Sequence, residues 1–182
     1  IVVDDASTDD TKKVVNSIKD ERIIYLRHQE NRHASAARNT GIKIARGEFI
    51  TFLDDDDEWL PEKLEKQVTL ILQLPLKVGM VYCWMNYYEN EKLINEHHPT
   101  IKGSVFPMVL DEQRLGGCPT LLIRKEVLAN IGEFDESIRR GNDGDLIRRI
   151  CNKYEVDFVP EVLVKVNVQK GYSSIGSNNK ES

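Results

Sequence analysis

Apolar runs alternate with helical patterns along the first half of the chain. Three short apolar runs have the composition of buried strands, namely IVVDD (1–5), RIIYL (22–26) and EFITFL (48–53). Each is followed by a segment in which apolar residues recur at helical spacing. This order predicts an α/β fold with a mostly parallel, Rossmann-like central sheet flanked by helices.

Residues that favour helix ends indicate where these three predicted helices begin or end. Ser7 or Thr8 is the predicted cap of the first helix. The second helix is predicted over Ala34–Arg46 and ends at Gly47, and the third begins at Pro61. In open α/β sheets, ligands bind beyond the carboxyl ends of the strands, so the acidic residues that follow the first and third strands are expected to share one edge.

The second half of the chain is less regular. Strands are predicted at 78–88 and 157–168, and a strand followed by a helix is predicted over 118–132. A further helix is predicted within 141–154, with Asn142 as its cap. Residues 169–182 have the composition of a tail.

Composition narrows the functional class. A chain of 182 residues fits one domain with a full hydrophobic core. A net charge of −5 argues against a nucleic-acid partner, which normally requires a basic face. The three cysteines form no CxxC pair, which favours free thiols in a reducing cytoplasm over a disulfide framework or a zinc site. The chain starts inside a strand pattern without a methionine, so we expect an upstream strand to be missing.

The third strand stops in four aspartates and a glutamate, Asp54–Asp57 and Glu58. Two unit charges about 4 Å apart repel by roughly 1 kcal/mol in water and by several times more at a protein-like dielectric. A divalent cation relieves this repulsion, and Mg²⁺ and Mn²⁺ prefer such oxygen ligands. The run therefore predicts a metal site.

Two other families place acidic residues in a comparable way. In an EF-hand loop starting at Asp54, the sixth position requires glycine for a sharp turn, but Trp59 occupies it. A receiver domain of a two-component regulator also has an early acidic pair and a later strand that ends in aspartate. That family needs a Ser or Thr after the next strand and a Lys-Pro dipeptide, and the sequence has neither. The receiver domain stays a weak alternative.

Four segments resemble family 2 glycosyltransferases, which have the GT-A fold. They are VVDDASTDDT (2–11), NRHASAARNTGIKIARGEFITFLDDDDEWLPEKLE (31–65), LLIRKEVLANIGEFDE (121–136) and NDGDLIRR (142–149). Their order and spacing match the family over about residues 1–150. The resemblance implies an inverting enzyme that moves a sugar from a nucleotide-diphosphate-sugar donor to an acceptor hydroxyl.

The resemblance also implies a role for the acidic run. The family's DxD motif matches Asp54 and Asp56, with Asp57 in the alternative register, and it holds Mg²⁺ or Mn²⁺ against the donor diphosphate. Asp55 is expected to contact the nucleotide. The remaining residues expected to bind the nucleotide are Asp4, Asp5, Ser7 and Arg38.

The catalytic base implied by the resemblance is Asp143, with Asp145, Leu146 and Arg149 completing the motif. Asn142 stands where the family more often has an acidic residue, which supports the alternative of a non-catalytic nucleotide-binding domain. Taken without the resemblance, Asp143 and Asp145 also suit the first turn of a helix for structural reasons alone.

We therefore expect a GT-A domain over 1–168 that lacks its first strand, followed by the tail at 169–182. Residues 1–75 form the expected nucleotide- and metal-binding part, and 76–168 form the acceptor side. The expected donor is a UDP-sugar, and the expected acceptor is a saccharide or a lipid-linked saccharide, as in cell-surface polysaccharide synthesis. The expected location is the cytoplasm, with peripheral membrane association where the acceptor is lipid-linked.

Overall fold

The computed structural model describes residues 1–109 and 115–168, so the predicted tail at 169–182 lies outside the described residues. The strands are β1 (Val2–Asp4), β2 (Tyr25–Arg27), β3 (Phe49–Ile50), β4 (Asp57–Trp59), β5 (Val78–Glu89), β6 (Lys92–His97), β7 (Leu122–Arg124) and β8 (Glu155–Asn167). The helices are α1 (Thr11–Ser17), α2 (His33–Ile44), α3 (Lys63–Gln73), α4 (Lys125–Ile131) and α5 (Asn142–Cys151). Short 3₁₀ turns cover Phe106–Val109 and Cys118–Thr120.

The described strands form two sheets. β1 and β2 pair in parallel, and a larger sheet has the order β3-β7-β5-β8-β4 with β6 added beside β5. The long strands β5 and β8 are parallel, whereas β7 runs antiparallel to β3 and β5, β4 runs antiparallel to β8, and β6 runs antiparallel to β5. The α/β layering is as predicted, but the strand directions are mixed rather than mostly parallel. A continuous apolar run favours a parallel strand only because such strands are usually buried on both faces, and a buried antiparallel strand such as β7 has the same pattern.

Helices cover both faces of the larger sheet. On one face, Leu146 and Ile150 of α5 pack in a cluster with Met80 and Tyr82 of β5. On the other face, Ile71 of α3 packs in a cluster with neighbouring strand residues of β5 and β7. Because successive strand residues point to opposite faces, β5 can anchor both helices at once. The start of α5 and the acidic segment before α3 are thereby fixed relative to the same sheet.

Local sequence signals predicted the positions of the helices more accurately than the residues at which the helices begin and end. α1 begins at Thr11, with Asp10 rather than Ser7 or Thr8 at the cap position. α2 ends at Ile44, before Gly47, and α3 begins at Lys63, two residues beyond Pro61. Such shifts are ordinary, because a capping preference specifies a helix end only to within one or two residues.

The cap of α5 also differs from the expected one. Gly141 occupies the cap position with φ 71°, and Asn142 is the first residue of the helix. Glycine tolerates this left-handed conformation without the steric cost that a Cβ atom imposes. Asn142 is therefore available for side-chain contacts with α2, which are described below.

In the part of the chain that the structure describes, every helix is too short or too polar to cross a membrane.

Candidate active site

Arg38 connects the acidic run to the start of α5. From α2, its Nη2 donates a hydrogen bond to Asp54 Oδ1 at 2.6 Å, and its Nη1 donates to Asp143 Oδ1 at 2.9 Å. The predicted metal-binding aspartate and the predicted base are therefore held by one guanidinium. The Arg38 side chain is only 13% exposed, and its guanidinium lies 5.4 Å from the centre of the Phe134 ring. This is a largely buried ion-pair cluster and not the surface ion pair that an isolated arginine on a helix usually forms.

Two other residues of α2 hold the segment that leads into α5. The buried Asn39 side chain donates to the carbonyl oxygen of Phe134 at 2.9 Å and to Glu136 Oε1 at 3.0 Å, and it accepts a bond from the Phe134 N–H at 2.9 Å. Asn142 Nδ2 donates to Ser35 Oγ at 3.0 Å. These bonds fix the start of α5 beside Arg38. The sequence pattern did not single out Ser35 or Asn39.

Burial and charge act in opposite directions on the cluster. Burial disfavours the charged form of Arg38, but the surrounding acidic groups, including Asp143 and Asp54, outweigh it and raise the pKa of Arg38 further. Burial also raises the pKa of Asp54; pairing with Arg38 lowers it, and repulsion from Asp143 and Asp56 raises it, with a net upward shift. Arg38 thus partly neutralises a site that carries more acidic than basic groups.

The acidic run makes a turn and then a strand. Asp55 and Asp56 are exposed in the turn, the N–H of Asp57 donates to the carbonyl oxygen of Asp54 at 3.2 Å, and Asp57 begins β4. Burial, followed by repulsion from Asp56 and Asp54, raises the pKa of Asp57 to about 7. The sequence analysis did not predict β4, because its residues lack the apolar pattern of a strand and the pairing partner lies about a hundred positions away on β8.

The chemistry of the donors fits a hard divalent cation. Within residues 1–109 and 115–168, no group of three or more His, Cys, Asp or Glu side chains is already arranged to hold a metal ion. However, Asp54, Asp56 and Asp57 bring carboxylate oxygens to one turn, and their mutual repulsion is part of what raises the pKa values of Asp54 and Asp57. Carboxylate oxygens are the ligands that Mg²⁺ and Mn²⁺ prefer.

Asp143 is oriented from both sides. Besides the Arg38 bond to its Oδ1, its Oδ2 accepts a hydrogen bond from the backbone N–H of Cys118 at 2.9 Å. A Cβ atom at Gly117 would lie 3.4 Å from Asp143 Oδ2, in van der Waals contact with it. The N–H of Cys118 is a contact that no side-chain motif reveals.

Asp4 and Asp5, the acidic pair at the end of β1, have different surroundings. The Asp4 side chain is fully buried and accepts hydrogen bonds from the Ser7 N–H, at 2.7 Å, and from the Tyr25 hydroxyl; Arg27 lies 3.5 Å away. Ser7 therefore contacts Asp4 through its backbone. Asp4 faces into the protein, which is the setting of a structural carboxylate, and its predicted contact with a nucleotide stays a prediction.

Asp5 faces the other way. Its Oδ1 lies 2.6 Å from His28 Nδ1 and accepts from the Arg32 N–H at 2.9 Å. Together with Ser35 and Asn142, it lines a pocket of about 200 Å³ next to the Arg38 cluster. The structure thus brings Asp5, Arg38, Asp54 and Asp143 to one region of the surface.

The lowered pKa of Asp4 makes the free energy of unfolding of the protein depend on pH. Burial acts to raise its pKa, but the bonds from Tyr25 and Ser7 and the charge of Arg27 lower it from 3.8 to about 2. Because the folded-state value is the lower one, the stabilisation is complete above pH 4 and is lost as the pH falls towards 2. It amounts to about 2 kcal/mol.

We expect urea unfolding to show this loss. The free energy of unfolding of the wild type should fall by about 2 kcal/mol relative to Asp4→Asn between neutral pH and pH 2. Glu21→Gln, which removes an exposed acid, is the matched control and should follow the wild type. A constant difference between wild type and Asp4→Asn across this range would contradict the assignment.

Comparison with known proteins identifies the family and the fold. Residues 1–132 match the profile described as Glycosyl transferase family 2, and the chain belongs to this family. Its fold is the GT-A fold. The chain is similar to S. aureus TarS 1–349 solved in complex with UDP-GlcNAc, with a TM-score of 0.77 and 20% sequence identity, over 94% of this chain and 50% of that one.

Two curated relatives extend the comparison. An uncharacterized glycosyltransferase of Methanocaldococcus jannaschii is 29% identical over 173 residues, covering 92% of this chain and 59% of the relative. The Escherichia coli enzyme WfaP, named as a UDP-Glc:alpha-D-GlcNAc-diphosphoundecaprenol beta-1,3-glucosyltransferase, is 47% identical over 88 residues, covering 48% of this chain and 34% of the relative. The chain thus spans less than two thirds of the length of these relatives.

Proposed function

We propose that the chain carries the catalytic site of an inverting, metal-assisted glycosyltransferase that uses a UDP-sugar. One observation carries the proposal: the Arg38 guanidinium donates hydrogen bonds to both Asp54 and Asp143. Asp54 precedes the acidic turn, and Asp143 lies at the start of α5. Sugar transfer needs both groups close together, because the leaving diphosphate and the attacking hydroxyl act on the same carbon. The UDP-glucose named for WfaP and the UDP-GlcNAc bound to TarS support the choice of donor.

In this proposal the nucleotide lies between the end of β1 and α2. Asp5 accepts a hydrogen bond from the base or the ribose at the rim of the adjoining pocket, and Arg38 donates to donor oxygens. Asp55 is exposed in the turn and contacts the nucleotide from that side, while Asp4 and Ser7 shape the loop below. Residues 1–75 are the nucleotide- and metal-binding part, and 76–168 are the acceptor side.

Asp54, Asp56 and Asp57 would hold Mg²⁺ or Mn²⁺. When bound, the cation supplies charge neutralisation for the departing nucleoside diphosphate. Asp143 accepts the proton of the acceptor hydroxyl as the new glycosidic bond forms. Its carboxylate is held by the Cys118 N–H at Oδ2 and by Arg38 at Oδ1, and each oxygen keeps a second lone pair that can accept from the acceptor hydroxyl. The acceptor is a saccharide or a lipid-linked saccharide, the latter being the class named for WfaP.

The proposal extends to the setting of the reaction. A lipid-linked acceptor places the reaction at the cytoplasmic face of a membrane, with the protein attached peripherally, in the synthesis of a cell-surface polysaccharide. The competing proposal is a domain that binds the nucleotide without turnover, and Asn142 is the residue that favours it. In the structure, however, Asn142 bonds to Ser35 and Arg38, so it supports the site without an added charge.

The first test is calorimetric titration of UDP, with and without Mn²⁺, into the chain and into Asp56→Ala. We expect binding that depends on Mn²⁺ and that weakens at least about tenfold in the variant, because the loss of one charged ligand removes an interaction of 1.4 kcal/mol or more. Glu58→Ala is the control, since Glu58 is an exposed acid two positions further on that contacts Lys165. Equal binding by Asp56→Ala and the wild type would refute the metal site.

Two further results separate the alternatives. GDP and dTDP are titrated in the same way if UDP does not bind, and failure of all three with folded protein contradicts the transferase proposal. Binding of UDP without hydrolysis or transfer of any UDP-sugar would favour the non-catalytic domain.

A further inference from the structure

Lys63 is a buried cation outside the site described so far. It is the first residue of α3, and its exposed fraction is 0%. Among the described residues, no carboxylate forms a salt bridge with it. Burial lowers its pKa to about 8. A buried ammonium group is costly, so its neighbours must compensate it in another way.

Three side chains surround the ammonium group. Lys63 Nζ donates to Gln67 Oε1 at 2.7 Å and lies 3.4 Å from Thr51 Oγ1. It also lies 4.3 Å from the centre of the Trp59 ring, where the electron-rich face of an indole attracts a cation. Thr51 follows β3, Trp59 ends β4 and Gln67 lies on α3, so Lys63 stands where three elements meet.

These three side chains also hold three consecutive carbonyl groups. Trp59 Nε1 donates to the carbonyl oxygen of Pro119 at 2.8 Å, Gln67 Nε2 to that of Thr120 at 2.8 Å, and Thr51 Oγ1 to that of Leu121 at 2.6 Å. The ammonium group therefore contacts each of these three side chains, and Cys83 Sγ donates a further bond to the Thr120 carbonyl oxygen at 3.6 Å.

The anchored stretch adjoins the predicted base. Cys118, directly before it, donates its N–H to Asp143 Oδ2. At the other end, Trp59 lies two residues after Asp57 on the short strand that continues the acidic turn. A path of direct contacts thus runs from the acidic turn, through Trp59 and Lys63, to the backbone that holds Asp143.

We propose that Lys63 is a positioning residue that keeps the acidic turn and the Asp143-holding segment (residues 118–121) at a fixed separation. Stability alone is a poor reason for such a residue, because burying a cation without a carboxylate partner costs free energy. Orientation is a better reason, since Gln67, Trp59 and Thr51 each need one defined rotamer to reach their carbonyl groups. The positional claim stands on contacts alone, and its catalytic consequence rests on the proposed function.

Hydrogen exchange tests the positional claim without any substrate. In Lys63→Met, the amides of Cys118, Thr120 and Leu121 should exchange roughly tenfold faster than in the wild type, because their segment opens locally. The amides of the central turns of α5 should keep their protection. Lys63→Arg, which retains a cation, should lie between the two.

The control is Lys66→Met, which removes a partly exposed lysine of the same helix that pairs with Glu161. It should leave the 118–121 amides unchanged. Wild-type exchange at these amides in Lys63→Met would overturn the proposal. If Lys63→Met does not fold, Thr51→Val takes its place, because it breaks a single link of the network; unchanged exchange at Leu121 in that variant would likewise overturn it.

Kinetics then test the consequence for catalysis. On a UDP-sugar that the wild type turns over, Lys63→Met should lower kcat roughly tenfold and change KM by less than about twofold, since misplacing a reacting group affects the transition state most. An unchanged kcat in a variant with faster exchange would overturn the catalytic part. If the wild type turns over no donor, the proposed function fails while the exchange result still decides the positional claim.

Discussion

Replacing Asp143 with asparagine should lower kcat for sugar transfer by roughly 10²- to 10⁴-fold, the usual contribution of a general base. Asparagine has nearly the same shape and can still accept the hydrogen bond from the Cys118 N–H, so the fold around α5 should persist. It cannot take a proton from an acceptor hydroxyl. In the proposed arrangement Asp143 faces the acceptor, so affinity for the UDP–Mn²⁺ complex should change far less than kcat.

The measurement pairs a transfer assay with calorimetry of UDP and Mn²⁺. Asp145→Asn is the control, because Asp145 lies on the same helix turn but binds Arg149, with Nε to Oδ2 at 2.9 Å. It should retain most of the turnover. If Asp143→Asn keeps wild-type turnover, Asp143 is not the base.

Replacing Arg38 with methionine should have opposite effects on two affinities. Arg38 pairs with Asp54, so Mn²⁺ must compete with the guanidinium for that carboxylate, and its removal should tighten the binding of Mn²⁺ alone. The donor loses its guanidinium partner, so UDP should bind more weakly in the presence of Mn²⁺. Transfer should fall by roughly 10²-fold, since both carboxylates lose their common anchor.

Electron paramagnetic resonance of free Mn²⁺ measures the first affinity, and calorimetry measures the second. Breaking a buried ion pair costs about 3–5 kcal/mol of stability, so Arg38→Lys is made in parallel; it keeps the charge but lacks the fork that reaches two carboxylates. Arg22→Met removes an exposed arginine paired with Asp20 and should change neither affinity. Weaker binding of both Mn²⁺ and UDP to both Arg38 variants would show that Arg38 does not compete with the cation.

The sequence predicted the parts of the site that are written in short motifs. The acidic run, the AARN segment and the NDGD segment were each recognisable, and the structure brings Arg38, Asp54 and Asp143 into direct contact. The α/β order of elements was also predictable, because strands and helices differ in apolar spacing. Whether these residues perform the expected chemistry stays a prediction.

The remaining features depend on distant partners. The direction of β7 and the existence of β4 follow from pairing with strands far away in the chain, which no local pattern encodes. Asp4 and Asp5 are adjacent and chemically alike, yet one is enclosed and the other lines a pocket, since successive residues of an extended backbone point in opposite directions. Lys63 has the sequence context of a solvated first-turn lysine, and only the packed structure shows that it is buried.

The two bonds of Arg38 close chain segments of very different length. The bond to Asp54 spans 16 residues, whereas the bond to Asp143 spans 105. Loop-closure entropy grows with segment length, and the distant partner is synthesised last. On the ribosome, the acidic turn can therefore acquire its arginine before α5 has been made. The acidic turn and Arg38 can then take shape first, and Asp143 joins them only when α5 has folded onto α2.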